Sequence, residues 1–300
     1  TMIRLIAVVD RNIVSRVGAA YLFVEPEVAS FESALPVVVV DSFGIRIDHD
    51  DRSDSRSEKR PVWAVFNEAG AKIMALPNFS GRAGMRVRGQ TSAKFPKKQY
   101  TLELWDEEDD DTNASLLGFP EESDWVLHAP YSDKTLMRNV LAYEWFREMG
   151  HYAVQTKYVE LFHNADGGAV TMSDYAGVYV LMEKIKRDKR RVPIAKLDET
   201  MIAEPEITGG YIFKKDKGTY NDVHFVTRHR HEFGFVEPDE PNDAQMGYLT
   251  GYLDGFELAL DGEDFADPEK GYAAFIDVPS FIDVHIHVEI CRNIDGFRLS

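Results

Sequence analysis

Short segments that alternate apolar and polar residues occupy most of the first two-thirds of this chain, and helical spacing dominates its end. Strands that precede helices, rather than alternating with them, predict an α+β fold built on antiparallel sheet. Pro61–Phe66, Gly84–Arg88 and Gln99–Leu104 have strand periodicity, and Leu35–Val40, the longest apolar run, reads as a buried strand. Tyr158–Phe162 and Gly177–Met182, joined by a turn at Asn164–Gly168, read as a hairpin. Gly209–Lys214 and His224–Thr227 read as a further strand pair. From Ser132 the spacing becomes helical, with Leu136, Val140, Leu141, Trp145 and Met149 on one face and Gly150 as the stop. Ala244–Leu260 and Val278–Arg292 are the other predicted helices, and no repeat of fixed period is present.

Three hundred residues suffice for one large domain or two ordinary ones. No apolar run reaches the roughly 18 residues of a spanning helix. Acidic residues outnumber basic ones, 51 to 34, for a net charge of -17. That field repels nucleic acid and anionic membranes, so neither is expected as a partner, and any phosphorylated ligand needs a local basic pocket. The single cysteine, Cys291, excludes a disulfide scaffold and a four-cysteine zinc site.

Thr1 to Asp10 already alternates like a strand and lacks the pattern of a signal peptide, and the chain stops at Phe297–Ser300 without a polar tail. Both ends read as cut, which makes the chain an expected fragment of a longer protein. Ile3–Val9 and Ala19–Val24 are expected strands of an incomplete module over 1–24, because two strands are marginal alone. Residues 25–60 read as a strand followed by a charged linker.

Phosphate-loop, dinucleotide and nucleophile-elbow motifs are all absent. His285, His287 and Glu289 spell H-x-H-x-E, but i and i+2 diverge on a helix, so a structural reading is preferred there. The same preference covers His229 with His231 and the pair His287/Cys291. The acidic run Asp106–Asp111 lacks the spaced ligands and glycine of a calcium loop and reads as a solvated face.

Arg82 to Lys98 is more informative: seventeen residues carry six cations and no acid. Arg86 and Arg88 project to one side of a strand, and the turn after Gly89 can offer backbone N–H groups to an anion. Composition leaves two readings open, a polyphosphate site or pairing with Asp106–Asp111. A second basic run, Glu183 to Arg191, follows an apolar strand and reads as a solvated loop. An aspartate just past a helix end, as in Asn293-Ile-Asp295, often serves only turn amides.

Taken together, ordered blocks resemble the CotH kinase family, the spore coat protein H-like atypical protein kinases. Gly84-Met-Arg-Val-Arg-Gly-Gln-Thr-Ser-Ala-Lys-Phe-Pro-Lys-Lys-Gln-Tyr100 resembles that family's G-x-R-x-R-G-x-(S/T)-S-x-x-x-P-K-K-x-(Y/F) block. Leu116 to Pro120, Asp124 to Pro130, Asp133 to Asn139 and Gly177 to Asp188 follow in the family's order, so the likeness covers roughly 36–300, with the kinase-like domain over 61–300. Residues 1–24 resemble the end of a chitobiase C-terminal-type β-sandwich.

The resemblance implies an atypical protein-kinase-like, two-lobed fold with a mainly antiparallel N-lobe sheet. It implies ATP and Mg2+ or Mn2+ as cofactors, and a protein substrate phosphorylated on Ser/Thr hydroxyls outside the cell or at its surface. By the same resemblance Arg86, Arg88 and Lys97 or Lys98 steady phosphates. The helix from Lys134 plays the part of the kinase αC, with Glu144 orienting that lysine and Arg138 as the other candidate on the helix. Glu183 and Lys184 form the hinge beside adenine, and Asp295 is the catalytic carboxylate. Ser300 stands where kinase-type loops place a metal-binding Asn. The family's second metal-binding Asp would lie beyond Ser300, so the C-lobe reads as truncated and the 300-residue chain as impaired. The alternative is a non-catalytic surface, coat or adhesin-like binding protein on the same fold.

Overall fold

The structure, a computed structural model, describes residues 8–9, 12–13, 22–47, 59–89, 91–215 and 223–297. The chain forms two compact units. The first holds what is described up to Met137 together with Val154–Lys184, and the second holds Arg138–Ala153 and what is described from Ile185 onward.

A short hairpin of β1 (Val8–Val9) and β2 (Asn12–Ile13) comes first, and a one-turn helix, α1 (Pro26–Ala29), follows. The remainder of the sandwich-like segment expected over 1–24 lies mostly outside the described residues, as do positions 48–58 of the charged linker. Seven strands then build the first unit: β3 (Val37–Asp41), β4 (Arg60–Asn67), β5 (Phe79–Val87), β6 (Tyr100–Leu104), β7 (Asp124–His128), β8 (Thr156–Asn164) and β9 (Tyr175–Glu183). They close into a barrel in the order β3-β4-β5-β6-β7-β9-β8, and only the closing pair, β3 with β8, is parallel. The expected antiparallel sheet is therefore present, but it closes on itself and leaves no free edge.

Alternation explains the barrel. Ala83, Met85 and Val87 of β5, Leu102 and Leu104 of β6, Trp125 and Leu127 of β7, and Tyr179 and Leu181 of β9 form one buried cluster, with the intervening residues on the outer face. Val37–Val40 of β3 are all apolar because the strand is covered twice. Val38 and Val40 join the interior cluster, while Val37 and Val39 pack with Val28 of α1, Phe162 and Val170 outside. β7 carries the same alternation but was not among the strands expected from sequence.

The second unit contains α2 (Arg138–Glu148), a small sheet of β10 (Ile212–Lys214), β11 (His224–Val226) and β12 (Glu232–Glu237), then α3 (Asp243–Asp261) and α4 (Val278–Cys291). β10 and β11 do not pair as expected, because β12 lies between them and pairs antiparallel with both. Phe213, Phe225, Phe233 and Phe235 pack against one another across the three strands, with ring centroids 5.1–6.2 Å apart. α3 opens with a reciprocal capping box between Asn242 and Gln245.

α2 starts later than expected. The Asp133 carboxylate accepts from the Thr135 amide and hydroxyl, and Leu136 adopts φ 62°, so Lys134 and Leu136 belong to a turn before the helix. The predicted apolar face is only partly covered, since Val140 is buried while Trp145 and Met149 are exposed. Among the described residues no helix is long and apolar enough to cross a membrane.

Candidate functional site

The cation-rich segment runs from the outer face of β5 through a folded turn into β6. Met85 and Val87 point into the barrel, which leaves Arg86 half-buried on the outer side and Arg88 exposed just past the strand. Gly89 takes φ +92°, and a Cβ built there would lie 2.0 Å from Ser92 Oγ, so both conformation and space require glycine. A single 3-10 turn, Ser92–Lys94, follows, and the Lys98 ammonium folds back to donate to the Ala93 carbonyl at 2.6 Å.

Lys97 is placed differently. Its ammonium donates to the Val178 carbonyl of β9 and sits 4.5 Å from the centre of the Tyr179 ring. The Tyr179 hydroxyl in turn donates to the Lys98 carbonyl at 2.8 Å, which ties the turn to the barrel. Burial pushes the Lys97 pKa down, with the Glu160 carboxylate opposing.

His128, the last residue of β7, completes the group. Its Nδ1 is 2.9 Å from Gln99 Oε1, while Gln99 Nε2 donates to Ser92 Oγ at 2.6 Å. Burial lowers its pKa to about 4, and the positive charges of Arg88 and Lys97 add to this against the opposing pull of Asp133. The imidazole is therefore neutral at physiological pH, and Arg88, Lys97 and His128 share one neighbourhood on the barrel. His128 was not singled out from sequence; its place in the Asp124 to Pro130 block was the available signal.

The two readings left open for the basic segment divide between its members. Arg82 does pair with Asp109 of the acidic run, whereas Lys97 and Lys98 bond to backbone carbonyls. The Asp106 carboxylate caps its own loop, accepting from the amides of Glu108 and Asp110.

Glu183 closes β9 and is only 2% exposed; its carboxylate accepts from the Gln155 amide at 2.8 Å. Lys184 pairs with the buried Asp124 carboxylate at 3.2 Å. Both side chains are thus engaged within the first unit, which ends at Lys184. Arg138 and Glu144 are exposed on α2, in the second unit. Asp295 is exposed in the turn after α4, where its amide donates to Asn293 Oδ1 at 3.3 Å. Ser300 lies outside the described residues.

The histidine motifs separate in the same way. On α4, His285 lies against Phe297 and His287 Nε2 is 2.8 Å from the Ala142 carbonyl, so H-x-H-x-E does not converge. His229 and His231 flank a tight turn instead, and both approach Glu257 of α3.

The chemistry on offer is a cluster of N–H donors, partly desolvated, on a closed barrel, and a separate exposed carboxylate after a helix. Donors of that kind suit phosphate oxygens. Comparison with curated proteins finds no match. The family described as CotH kinase protein matches over residues 85–300, which takes in the basic turn, His128, strands β6 to β12, helices α2 to α4 and Asp295. The chain belongs to the CotH kinase family.

Proposed function

We propose that this chain is an ATP-dependent protein kinase of the CotH type, acting on Ser or Thr hydroxyls of a secreted or cell-surface protein. The observation that carries the reading is the gathering of Arg88, Lys97 and His128 on one part of the barrel, inside the family-matched residues of a chain with net charge -17. Neighbouring cations repel one another, and a bound anion relieves that repulsion.

The residues fit a polyphosphate. Arg88 and Lys97 are charged donors, Arg86 lies two residues before Arg88 on β5, and partial burial of Arg86 and Lys97 strengthens their contacts. Lys97 is the stronger candidate for the phosphate lysine, because its partly buried ammonium neighbours His128 while the Lys98 ammonium closes its own turn. Glu183 and Lys184 offer backbone groups at the end of β9, their side chains being engaged elsewhere. ATP with Mg2+ or Mn2+ supplies a transferable phosphoryl group and the charge to neutralise it. Asp295 accepts or orients the proton of the substrate hydroxyl. In this reading the barrel unit serves as the nucleotide-holding lobe and the second unit carries the catalytic carboxylate.

Thermal unfolding with ATP, with and without Mg2+ or Mn2+, tests the reading. Ligand at about 100 times its dissociation constant adds roughly 2.7 kcal/mol and raises the midpoint by several degrees. Asp295→Asn is expected to keep that rise while losing phosphoryl transfer to a protein acceptor. No rise with either metal overturns the nucleotide reading and favours a binding protein on the same fold. Transfer that survives Asp295→Asn removes the residue from its role.

A further inference from the structure

Outside the barrel, one set of side chains is arranged as ligands are. We propose that His229, His231 and Glu257 form a binding site for a zinc-class transition-metal ion, with its remaining position open to water.

The ligand atoms of these three residues all lie within 4.8 Å of one another. Two features of the backbone bring them together. The turn from β11 to β12 is closed by hydrogen bonds from the Thr227 amide to the His231 carbonyl and from the Arg230 amide to the Thr227 carbonyl, both at 2.9 Å. Arg230 adopts φ 66°, which folds the chain tightly enough to set the two imidazoles 6.4 Å apart, centre to centre. Glu257 comes from α3, is 7% exposed, and is held toward the turn by the Thr227 hydroxyl and by the His229 amide at 2.9 Å.

The outer partners support ligation. His229 Nε2 is 2.8 Å from the Asp261 carboxylate, the arrangement that fixes the tautomer of a metal-bound imidazole. This leaves His229 Nδ1 facing Glu257 Oε2 at 3.9 Å, too long for a hydrogen bond. Ligands of a tetrahedral zinc ion lie roughly 3.3 Å apart, given bonds of about 2.0–2.1 Å, so the donors must draw together by up to about 1.5 Å to close the site. Two imidazoles and one carboxylate select zinc or its neighbours over Mg2+ or Ca2+, which prefer all-oxygen shells. Lys215 opposes ligation at His231: its ammonium is 3.2 Å from His231 Nδ1 and must turn away when either ring nitrogen takes a metal.

The test is calorimetric titration of the chelator-treated full chain with Zn2+, paired with the visible spectrum of the Co2+ form. The expected result is one equivalent bound, a tetrahedral Co2+ spectrum, and no competition from millimolar Mg2+. His231→Ala should weaken binding by at least tenfold, Asp261→Asn by about 10–100-fold, and Lys215→Ala should tighten it several-fold. The His231 side chain is exposed, so the variant should keep the metal-free unfolding midpoint, which certifies its fold. Binding that is unsaturable, or unchanged in His231→Ala with the fold intact, overturns the site. Displacement by Mg2+ overturns its assignment to a zinc-class ion. None of these outcomes depends on the nucleotide site.

Discussion

The Lys97 ammonium lies over the Tyr179 ring on the barrel, 4.5 Å from its centre, while the adjacent Lys98 turns back to the Ala93 carbonyl. Adjacent lysines therefore have different environments, and substitution separates them. Lys97→Met should weaken ATP binding by roughly tenfold or more, the usual scale for a lost charged hydrogen bond. Lys98→Met should spare affinity and lower stability by about 1 kcal/mol through loss of one turn contact. Nucleotide titration together with denaturant unfolding of both variants checks the split.

His128 predicts a pH dependence. Its pKa is about 4 in the fold against 6.5 as the reference, so the folded imidazole stays neutral where the unfolded one takes up a proton. The stabilisation is complete above about pH 6.5 and drains away as pH falls toward 4, by at most about 3 kcal/mol. Unfolding midpoints of the wild type should fall more steeply over that window than those of His128→Asn. A bound polyphosphate favours the protonated ring, so ATP binding near pH 5.5 should take up protons, which calorimetry in buffers of different ionisation enthalpy detects.

Glycine 84 is a packing requirement of the barrel wall. A Cβ there would stand 2.1 Å from the Trp105 ring, whose indole N–H donates to Glu103 at 2.8 Å. Gly84→Ala must displace that ring and should cost about 1–3 kcal/mol. Denaturant unfolding monitored by tryptophan fluorescence reads both the loss and the moved indole.

Within the barrel, Leu102 is fully buried, and Leu102→Ala should cost about 2–5 kcal/mol. Leu76, 97% exposed, provides the contrast: Leu76→Ala should change stability by less than about 0.5 kcal/mol. Equilibrium unfolding in urea checks both.

Much of the strand pattern was legible because one face of each strand is buried. Met85 and Val87 against Arg86 show the alternation openly, and the apolar run Val37–Val40 announced a buried strand. β7 was less plain, since Asp124 is buried beside apolar neighbours and blurs the period. The start of α2 was misplaced because Asp133 competes for the amides that a helix would use, a local contest that side-chain spacing does not reveal. In the candidate site the density of cations over 82–98 was evident from sequence, but the division of labour among them was not. Arg82 pairs with Asp109, Lys98 closes its turn and Lys97 meets Tyr179, three outcomes for one residue class.

Residue order was enough to set the α+β class, the family through its ordered blocks, and a concentration of positive charge in an acidic chain. Those properties are local or compositional, so they survive in one dimension. Tertiary structure alone decided that the strands close into a barrel, that His128 joins Arg88 and Lys97, and that His229 and His231 meet Glu257. Each of those depends on residues far apart in the chain being brought together. Strand register and turn geometry set such meetings, and local periodicity carries no record of them.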